Sequence, residues 1–292
     1  MSKNLSQAAA KEFDSMVLQA YQGRGGKIRP TIQQRRGVVG DVYNFRLMGR
    51  GLATEKTTSQ NIVTPMNIAY NLKPAPLKNY NAAEYTDIFD QAAVNFDEKQ
   101  ALAESIALAI KRREDQIIID AMNAAVLETG FVLGANTSSN ADGSLSVASI
   151  LKAGEILNNT YSDGEKYMLI SPAMRTALLQ DAKTTQSLYV DVKSLITGEL
   201  LEFAGFKFIY VESNRDEGGL PTATTAGNGY AAGDRFAFAY VSNAVGIAVG
   251  IDMRVEVSYV PERTSWLTNG VFKAGAVVID PQGLVKIACH NG

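Results

Sequence analysis

The residue types that most often carry catalytic chemistry are scarce in this sequence. It contains one histidine, His290, and one cysteine, Cys289. A histidine-based triad or an HExxH zinc site would have to use His290, and a tetrahedral zinc site would need carboxylates for most of its ligands. We interpret His290 as an incidental residue in a loosely held chain end. We expect no catalytic, metal-binding or cofactor-binding residues, and no cofactor.

Three further stretches superficially suggest a binding or catalytic site. "GRGGK" begins at Gly23 but lacks the GxxxxGK[ST] spacing, and no strand precedes it. "GNGYAAG" begins at Gly227, has one residue more than GxGxxG, and does not follow an apolar strand. Asp216 and Glu217 lie in a glycine-rich loop where nothing would desolvate them for general acid catalysis. We interpret all three as ordinary loops.

Composition bounds the remaining possibilities. The 292 residues are 46% hydrophobic, which is enough for one large domain or two small ones. A formal charge of −2 argues against a dedicated nucleic-acid binder. The charge is uneven, because residues 1–36 carry seven basic and two acidic side chains; they are at +5 and the remainder is at −7. A lone cysteine favours a reducing compartment. With no secretory pattern and no apolar run of about 20 residues, we expect a soluble protein made in a cytoplasm.

The elements that could position functional residues begin with extended structure. "YQGRGGKIRPTIQQRRG" has Gly23, Gly25, Gly26 and Pro30 among charges, which predicts an irregular arm. Apolar residues at Val42, Phe45 and Leu47 predict one strand, and those from Ile62 to Tyr70 predict another. The polar stretch between them is too long for a tight turn. We expect a long hairpin that buries its apolar positions Phe45, Leu47, Ile62 and Ile68 on a neighbouring molecule; the alternative is a flexible insertion.

The period changes from Asn95 onward. Asn95 or Asp97 can cap a helix, and no glycine or proline follows before Gly130. A helix over about 96–128 is therefore predicted, with an apolar stripe at Leu102, Ile106, Ile110, Ile117 and Ala121. Its middle contains the charge run "KRRED", for which we favour a solvated face. Ion pairing between subunits is the alternative.

Helices and strands alternate in the second half. Helices are predicted at "SVASILKAGEILNNT" and "SPAMRTALLQD", the second with Ser171 as N-cap and Pro172 at its first position. Strands are predicted at "KYMLI", "FKFIYVES", "RFAFAYV", "VGIAVG" and "DMRVEVSYV". The last stretch predicts two strands around the turn Asp280-Pro281-Gln282-Gly283. The fold class is α+β, with no internal repeat.

The order of these parts resembles a known family. The residues that carry the resemblance are "YNFRLMGRG", "YTDIFDQA", "LAESIALAIKRREDQIIIDAM", "YMLISPAMRTALLQD" and "VIDPQGLVKI". The chain resembles the major capsid protein of tailed double-stranded DNA bacteriophages, which has the HK97-like fold, and most of all the capsid proteins of short-tailed T7-like phages. The resemblance implies an N-terminal arm at 1–36, an E-loop hairpin at 37–77, a P-domain with the spine helix at 78–140 and 250–275, and an A-domain at 141–249 and 276–292.

The resemblance also implies a function. We expect a non-enzymatic protein that self-assembles as hexamers and pentamers into the icosahedral head shell around double-stranded DNA. It would be found in the virion and be assembled in the host bacterial cytoplasm. Because fewer than 40 residues precede the hairpin, the scaffold is expected to be a separate protein, alongside a portal protein.

Within such a shell, we expect the basic arm to lie against acidic surfaces of neighbouring subunits or to face the DNA, which it would contact non-specifically. Lys56 lies near the hairpin tip, but no partner for a covalent cross-link is identifiable. The alternatives are an encapsulin-like nanocompartment shell and an enzyme with an oligomerising hairpin.

Overall fold

The computed structural model describes residues 25–57, 59, 62, 65–89, 98–128, 130–135, 143–160, 164–180, 202–211, 219–227 and 229–290. The helices are α1 (Glu98–Ala124), α2 (Val147–Thr160) and α3 (Pro172–Gln180). The strands are β1 (Gln33–Arg36), β2 (Val42–Met48), β3 (Tyr70–Pro76), β4 (Lys78–Asp87), β5 (Val132–Leu133), β6 (Lys166–Ile170), β7 (Glu202–Phe203), β8 (Phe206–Tyr210), β9 (Arg235–Val241), β10 (Val245–Val260), β11 (Ser265–Val278) and β12 (Leu284–Cys289).

These strands form three sheets. A four-stranded sheet has the order β1-β10-β11-β4, and a six-stranded sheet has the order β5-β12-β9-β6-β8-β7. The pair β2 and β3 forms a separate two-stranded sheet. Within the four-stranded sheet β1 runs parallel to β10, while β10, β11 and β4 are antiparallel. The predicted α+β class is confirmed.

Helix α1 packs on the four-stranded sheet over a glycine. A Cβ added to Gly270 would lie 2.5 Å from Cδ1 of Ile110 and 2.6 Å from Cγ2 of Ile106, so this glycine lets the helix approach β11 closely. The helix ends at Ala124, four residues before the predicted end at 128, and the proposed caps Asn95 and Asp97 lie outside the described residues.

The predicted apolar stripe of α1 is too narrow in its C-terminal half, where Ile117 packs against the core but is not the most buried residue. Ile118, Ile119 and Met122 are fully buried, whereas Ile117 and Ala121 are half-buried. This half of the helix buries a face wider than a single stripe, because the consecutive residues Ile118 and Ile119 are both buried.

The second half of the chain follows its predicted elements closely. Ser171 caps α3, its Oγ accepting a hydrogen bond from the Met174 amide at 3.2 Å. In the predicted turn after β11 the Asp280 side chain accepts from the Gln282 amide at 3.0 Å. One prediction fails, because "VGIAVG" and "DMRVEVSYV" are one strand, β10, whose pairing with β11 shifts register near Gly250. A β-bulge lets one strand continue through a local break in its pattern.

The C-terminal end of α1 is capped by a lysine from the six-stranded sheet. Lys286 is 8% exposed, and its Nζ donates to the carbonyl oxygens of Asn123 and Ala125, the latter at 3.3 Å. Burial lowers the pKa of Lys286. An ammonium group at this position satisfies helix carbonyls and complements the helix dipole. The contact joins α1 to β12.

Candidate assembly surfaces

The hairpin, residues 42–76, is paired differently from the prediction. Its register runs from Val42 opposite Pro76 to Met48 opposite Tyr70, and the Gly49 amide donates to the Ala69 carbonyl at 2.8 Å. The second strand is therefore Tyr70–Pro76 and not residues 62–70. Proline lacks an amide donor but is tolerated in an edge strand, which is compatible with the two prolines of β3.

The base of the hairpin is buried in its own subunit. Phe45 is 4% exposed and clusters with Ala75, Leu77, Ala248 and Ile279. This corrects the expectation that Phe45 would be buried on a neighbour.

Two details of this cluster explain the burial. A Cβ added to Gly246 would lie 2.8 Å from Cζ of Phe45, so the phenyl ring sits directly on β10. Leu47, also expected on a neighbour, is half-buried against the same cluster. The strands 42–48 and 70–76 are thus partly a component of the subunit's own core.

The distal part of the hairpin leaves apolar side chains in solvent. Ile62 is 89% exposed and Leu52 is 82% exposed. The same is true, to a smaller extent, of Met48, Met66, Tyr70 and Leu72. Several large apolar side chains that one subunit leaves in water along a single hairpin favour a protein contact. We call these six residues the distal apolar surface.

The hairpin is basic, and an acidic surface lies elsewhere on the subunit. Residues 42–76 carry a formal charge of +3, and Arg46, Arg50 and Lys56 are exposed. In the described part of β4 and α1, Glu84 and Glu104 are exposed. The two surfaces have opposite charge and could attract one another between copies of the chain.

The described part of "GRGGK", residues 25–27, contacts helix α1 of the same chain. The amides of Gly26 and Lys27 donate to Oδ2 of Asp115 at 2.7 and 3.2 Å, and the Ile28 amide donates to Oδ1 at 3.2 Å. A Cβ added to Gly25 would lie 2.3 Å from the Arg112 amide nitrogen, so only glycine fits there. The amides do bind an anion, but it is the Asp115 carboxylate, which is 6% exposed.

Arg29 adds a second set of contacts. Its guanidinium donates to both Asp252 oxygens at 3.0 and 3.3 Å, and its Nη1 lies 3.0 Å from Oε1 of Glu114. Thr31 shares a hydrogen bond of 2.6 Å with the buried Tyr240 hydroxyl. Arg29 therefore joins the arm to α1 and to β10.

Two expectations are corrected by these contacts. The acidic end of "KRRED" is not solvated, because Glu114 and Asp115 are buried and contact the arm of the same chain. Burial raises the pKa of both carboxyl groups; Arg29 opposes this at Glu114 and the three amides oppose it at Asp115. The described part of the arm, residues 25–36, also lies on acidic groups of its own subunit and ends in strand β1.

The remaining candidate residues have structural roles. His290 is not loosely held, since its Nδ1 lies 2.8 Å from Oδ1 of Asp234, a carboxylate that is 1% exposed. Burial raises the pKa of the Cys289 thiol to about 12, with the charge of Asp234 adding to the effect. "GNGYAAG" is a loop as expected, closed by backbone hydrogen bonds between Gly227 and Tyr230. Asp216 and Glu217 lie outside the described residues.

The described residues contain no group of three or more His, Cys, Asp and Glu side chains placed to hold a metal ion. No helix in this part of the chain is long and apolar enough to cross a membrane.

Comparison with known proteins identifies the family. The family model described as phage capsid protein matches residues 5–291. The chain belongs to the phage capsid protein family. The search of curated protein sequences gave no significant match. Membership of a phage capsid family makes this a capsid shell protein, and an encapsulin shell is not favoured.

Solved capsids share the fold of this phage capsid protein at low sequence identity. The capsid of cyanophage P-SCSP1u is 16% identical over 100% of this chain and 96% of its own, with a TM-score of 0.74. The acid-stable capsid of Helicobacter pylori bacteriophage KHP30 is 11% identical over 98% and 96%, with a TM-score of 0.77. The capsid of a native GTA particle is 15% identical over 98% and 97%, with a TM-score of 0.72. The predicted HK97-like capsid fold is confirmed.

The buried carboxylates were missed although the sequence of this capsid protein carries a signal for them. Ile106, Ile110, Glu114, Ile118 and Met122 follow one another at intervals of four residues. Residues four apart lie on the same helix face, so Glu114 sits within an apolar stripe. Because a buried acid needs a partner, its position in that stripe predicts a basic or amide donor packed over the helix.

Proposed function

We propose that copies of this chain assemble as hexamers and pentamers into the icosahedral head shell of a phage, around double-stranded DNA, with the hairpin as the main contact between neighbours. The observation that carries this proposal is the contrast within the hairpin: its base is fixed by Phe45, and its distal apolar surface is exposed. A rigid base holds that surface out toward a neighbour. Many such contacts, repeated by symmetry, sum to a stable particle.

The chemistry of the surfaces favours a particular docking partner for the hairpin. Its positive charge matches the acidic surface of β4 and the start of α1, where Glu84 and Glu104 are exposed. The hairpin of one subunit lies across this surface of the next copy. Charge complementarity then favours the correct register, and apolar contact contributes most of the affinity.

The two larger sheets support a division into domains. The P-domain comprises residues 78–140 and 250–275 and contains β4, α1 and most of the ribbon of β10 and β11. The A-domain comprises residues 141–249 and 276–292 and contains α2, α3 and most of the six-stranded sheet. Strand β5 (Val132–Leu133) pairs with β12, which favours placing it with the A-domain sheet.

Further partners follow from family membership and charge. A separate scaffolding protein and a portal protein take part in assembly in the host bacterial cytoplasm, and the finished protein resides in the virion. DNA is held by non-specific contacts with basic side chains. The protein has no enzymatic role. The T7-like subtype stays a prediction.

The test is expression of the chain alone and with its candidate scaffold, followed by sedimentation and electron microscopy. Wild type should form closed shells. The double variant Leu52→Ser/Ile62→Ser should stay folded and sediment as small species, because it removes apolar contact area from every hairpin contact. Val126→Ser is the matched control, since Val126 is 89% exposed but lies outside the hairpin. Normal shells from the double variant would contradict the proposed role of the hairpin.

A further inference from the structure

We propose that Glu114 and Asp115 form an anchor that holds the arm on its own subunit and, through the arm, sets the direction of the assembly hairpin. The anchor consists of these two carboxylates, the amides of residues 26–28 and the Arg29 guanidinium. The second half of the proposal rests on the proposed function of the hairpin.

The first step is the capture of the arm backbone by Asp115. One buried carboxylate accepts three consecutive amides, at 2.7 to 3.2 Å. Gly25 brings the chain against the backbone of α1 at Lys111 and Arg112, with a spacing that no side chain would allow. If the arm left, the three amides and the buried Asp115 carboxylate would lose their partners together. Groups that depend on one another in this way dock and undock as a unit.

The second step joins the anchor to two elements. Arg29 contacts Glu114 on α1 and both oxygens of Asp252 on β10. A planar guanidinium with fixed donors defines an orientation as well as a distance. The arm is thereby fixed relative to both the helix and the sheet.

The third step links the arm to the hairpin. Strand β1 pairs with residues 246–249 of β10, and the Val38 amide continues this pairing by donating to the Val249 carbonyl at 3.1 Å. The same stretch of β10 seats Phe45 of the hairpin. Five residues, 37–41, connect β1 to β2.

Asp41, the last of these connecting residues, is held through both its backbone and its side chain. The Asp41 carbonyl accepts from the Leu77 amide at 2.8 Å, and its carboxylate pairs with Lys273 at 2.8 Å. A shift of β1 therefore acts on the hairpin base through a short connection.

The experiment uses soluble, unassembled full-length subunits, so that it does not depend on shell formation. Hydrogen exchange and limited trypsin digestion are compared for wild type, Asp115→Asn and the control Asp120→Asn, which makes the same change at an exposed position of α1. In wild type the amides of residues 26–28 should exchange far more slowly than those of residues 52–57. In Asp115→Asn, cleavage after Lys27 should rise by about tenfold or more, because charge-assisted hydrogen bonds are lost; Arg29 is no trypsin site, since Pro30 follows it.

The same hydrogen-exchange measurement reports on the hairpin base. Exchange at residues 42–48 should increase in Asp115→Asn and stay at the wild-type rate in Asp120→Asn. Unchanged protection of the arm in Asp115→Asn would overturn the anchor. A released arm with unchanged exchange at the hairpin base would overturn the coupling.

A second variant covers the case in which Asp115→Asn does not fold. Arg29→Lys keeps the charge but loses the two-pronged contact with Asp252, and should release the arm partially, raising trypsin cleavage after Lys27 by a smaller factor. Cleavage at the wild-type rate would count against the anchor. In assembly reactions, Asp115→Asn should give particles of mixed diameter. If wild type forms no shells, the proposed function fails, while arm protection still decides the anchor.

Discussion

Replacing Phe45 by alanine separates the two roles of the hairpin. The side chain is 4% exposed and sits against Gly246, Ala248 and Ile279. Truncating a buried phenylalanine costs about 3–5 kcal/mol, a large part of the roughly 5–15 kcal/mol by which a typical domain is stable. Ile62→Ser changes a side chain that is 89% exposed, so its effect on subunit stability should stay within about 0.5 kcal/mol.

The assay for this pair is denaturant unfolding of unassembled subunits. Phe45→Ala should lower the midpoint with little change in slope, because stability falls while the surface exposed on unfolding stays similar. Ile62→Ser should unfold like wild type, and only assembly, measured by sedimentation, should weaken. If Phe45→Ala unfolded at the wild-type midpoint, the hairpin base would not belong to the subunit core. An equal loss of stability from both variants would contradict the division of the hairpin into base and distal surface.

Three further predictions concern the surrounding structure. Gly275→Ala would place a Cβ 2.0 Å from the Pro76 carbonyl oxygen. It should therefore destabilise the subunit by about 1–3 kcal/mol and lower its thermal midpoint. An unchanged midpoint would contradict the packing of the hairpin base on β11. Lys286→Met removes the cap of α1 and should lower the free energy of unfolding by about 1.5–3 kcal/mol. A variant with wild-type stability would contradict the stabilising role of this cap. The Cys289 thiol is buried with a pKa of about 12, so a thiol reagent at pH 8 should label it only on unfolding; rapid labelling of the native protein would refute its burial.

Much of the fold could be predicted because the C-terminal half has strong local signals. The cap at Ser171, the turn at Asp280 and the apolar runs of β6 and β9 each specify their element within a few residues. The hairpin was predicted correctly in kind but not in register. Its second strand contains Pro74 and Pro76, and sequence periodicity does not show that these prolines lie in an edge strand.

Burial from outside a local segment was the main source of error. Whether Phe45 packs on its own subunit depends on Gly246, which lies about two hundred residues away in the sequence. The burial of Asp115 depends on the arm, whose Gly26 precedes it by 89 residues in the sequence. Charge runs are usually solvated, and the "KRRED" run departs from that expectation because a distant backbone supplies its donors.

The distal part of the hairpin serves assembly and its base serves folding, and one variant tests this division directly. Residues 52–61 are replaced by a short Gly-Ser turn, which leaves Phe45 and the paired strands intact but removes the reach of the tip. Thermal unfolding of the unassembled variant is compared with unassembled wild type, and particles are sought by sedimentation and electron microscopy. We expect the shortened variant to have the wild-type thermal midpoint and to form no closed shells. Normal shells from the shortened protein would contradict this division.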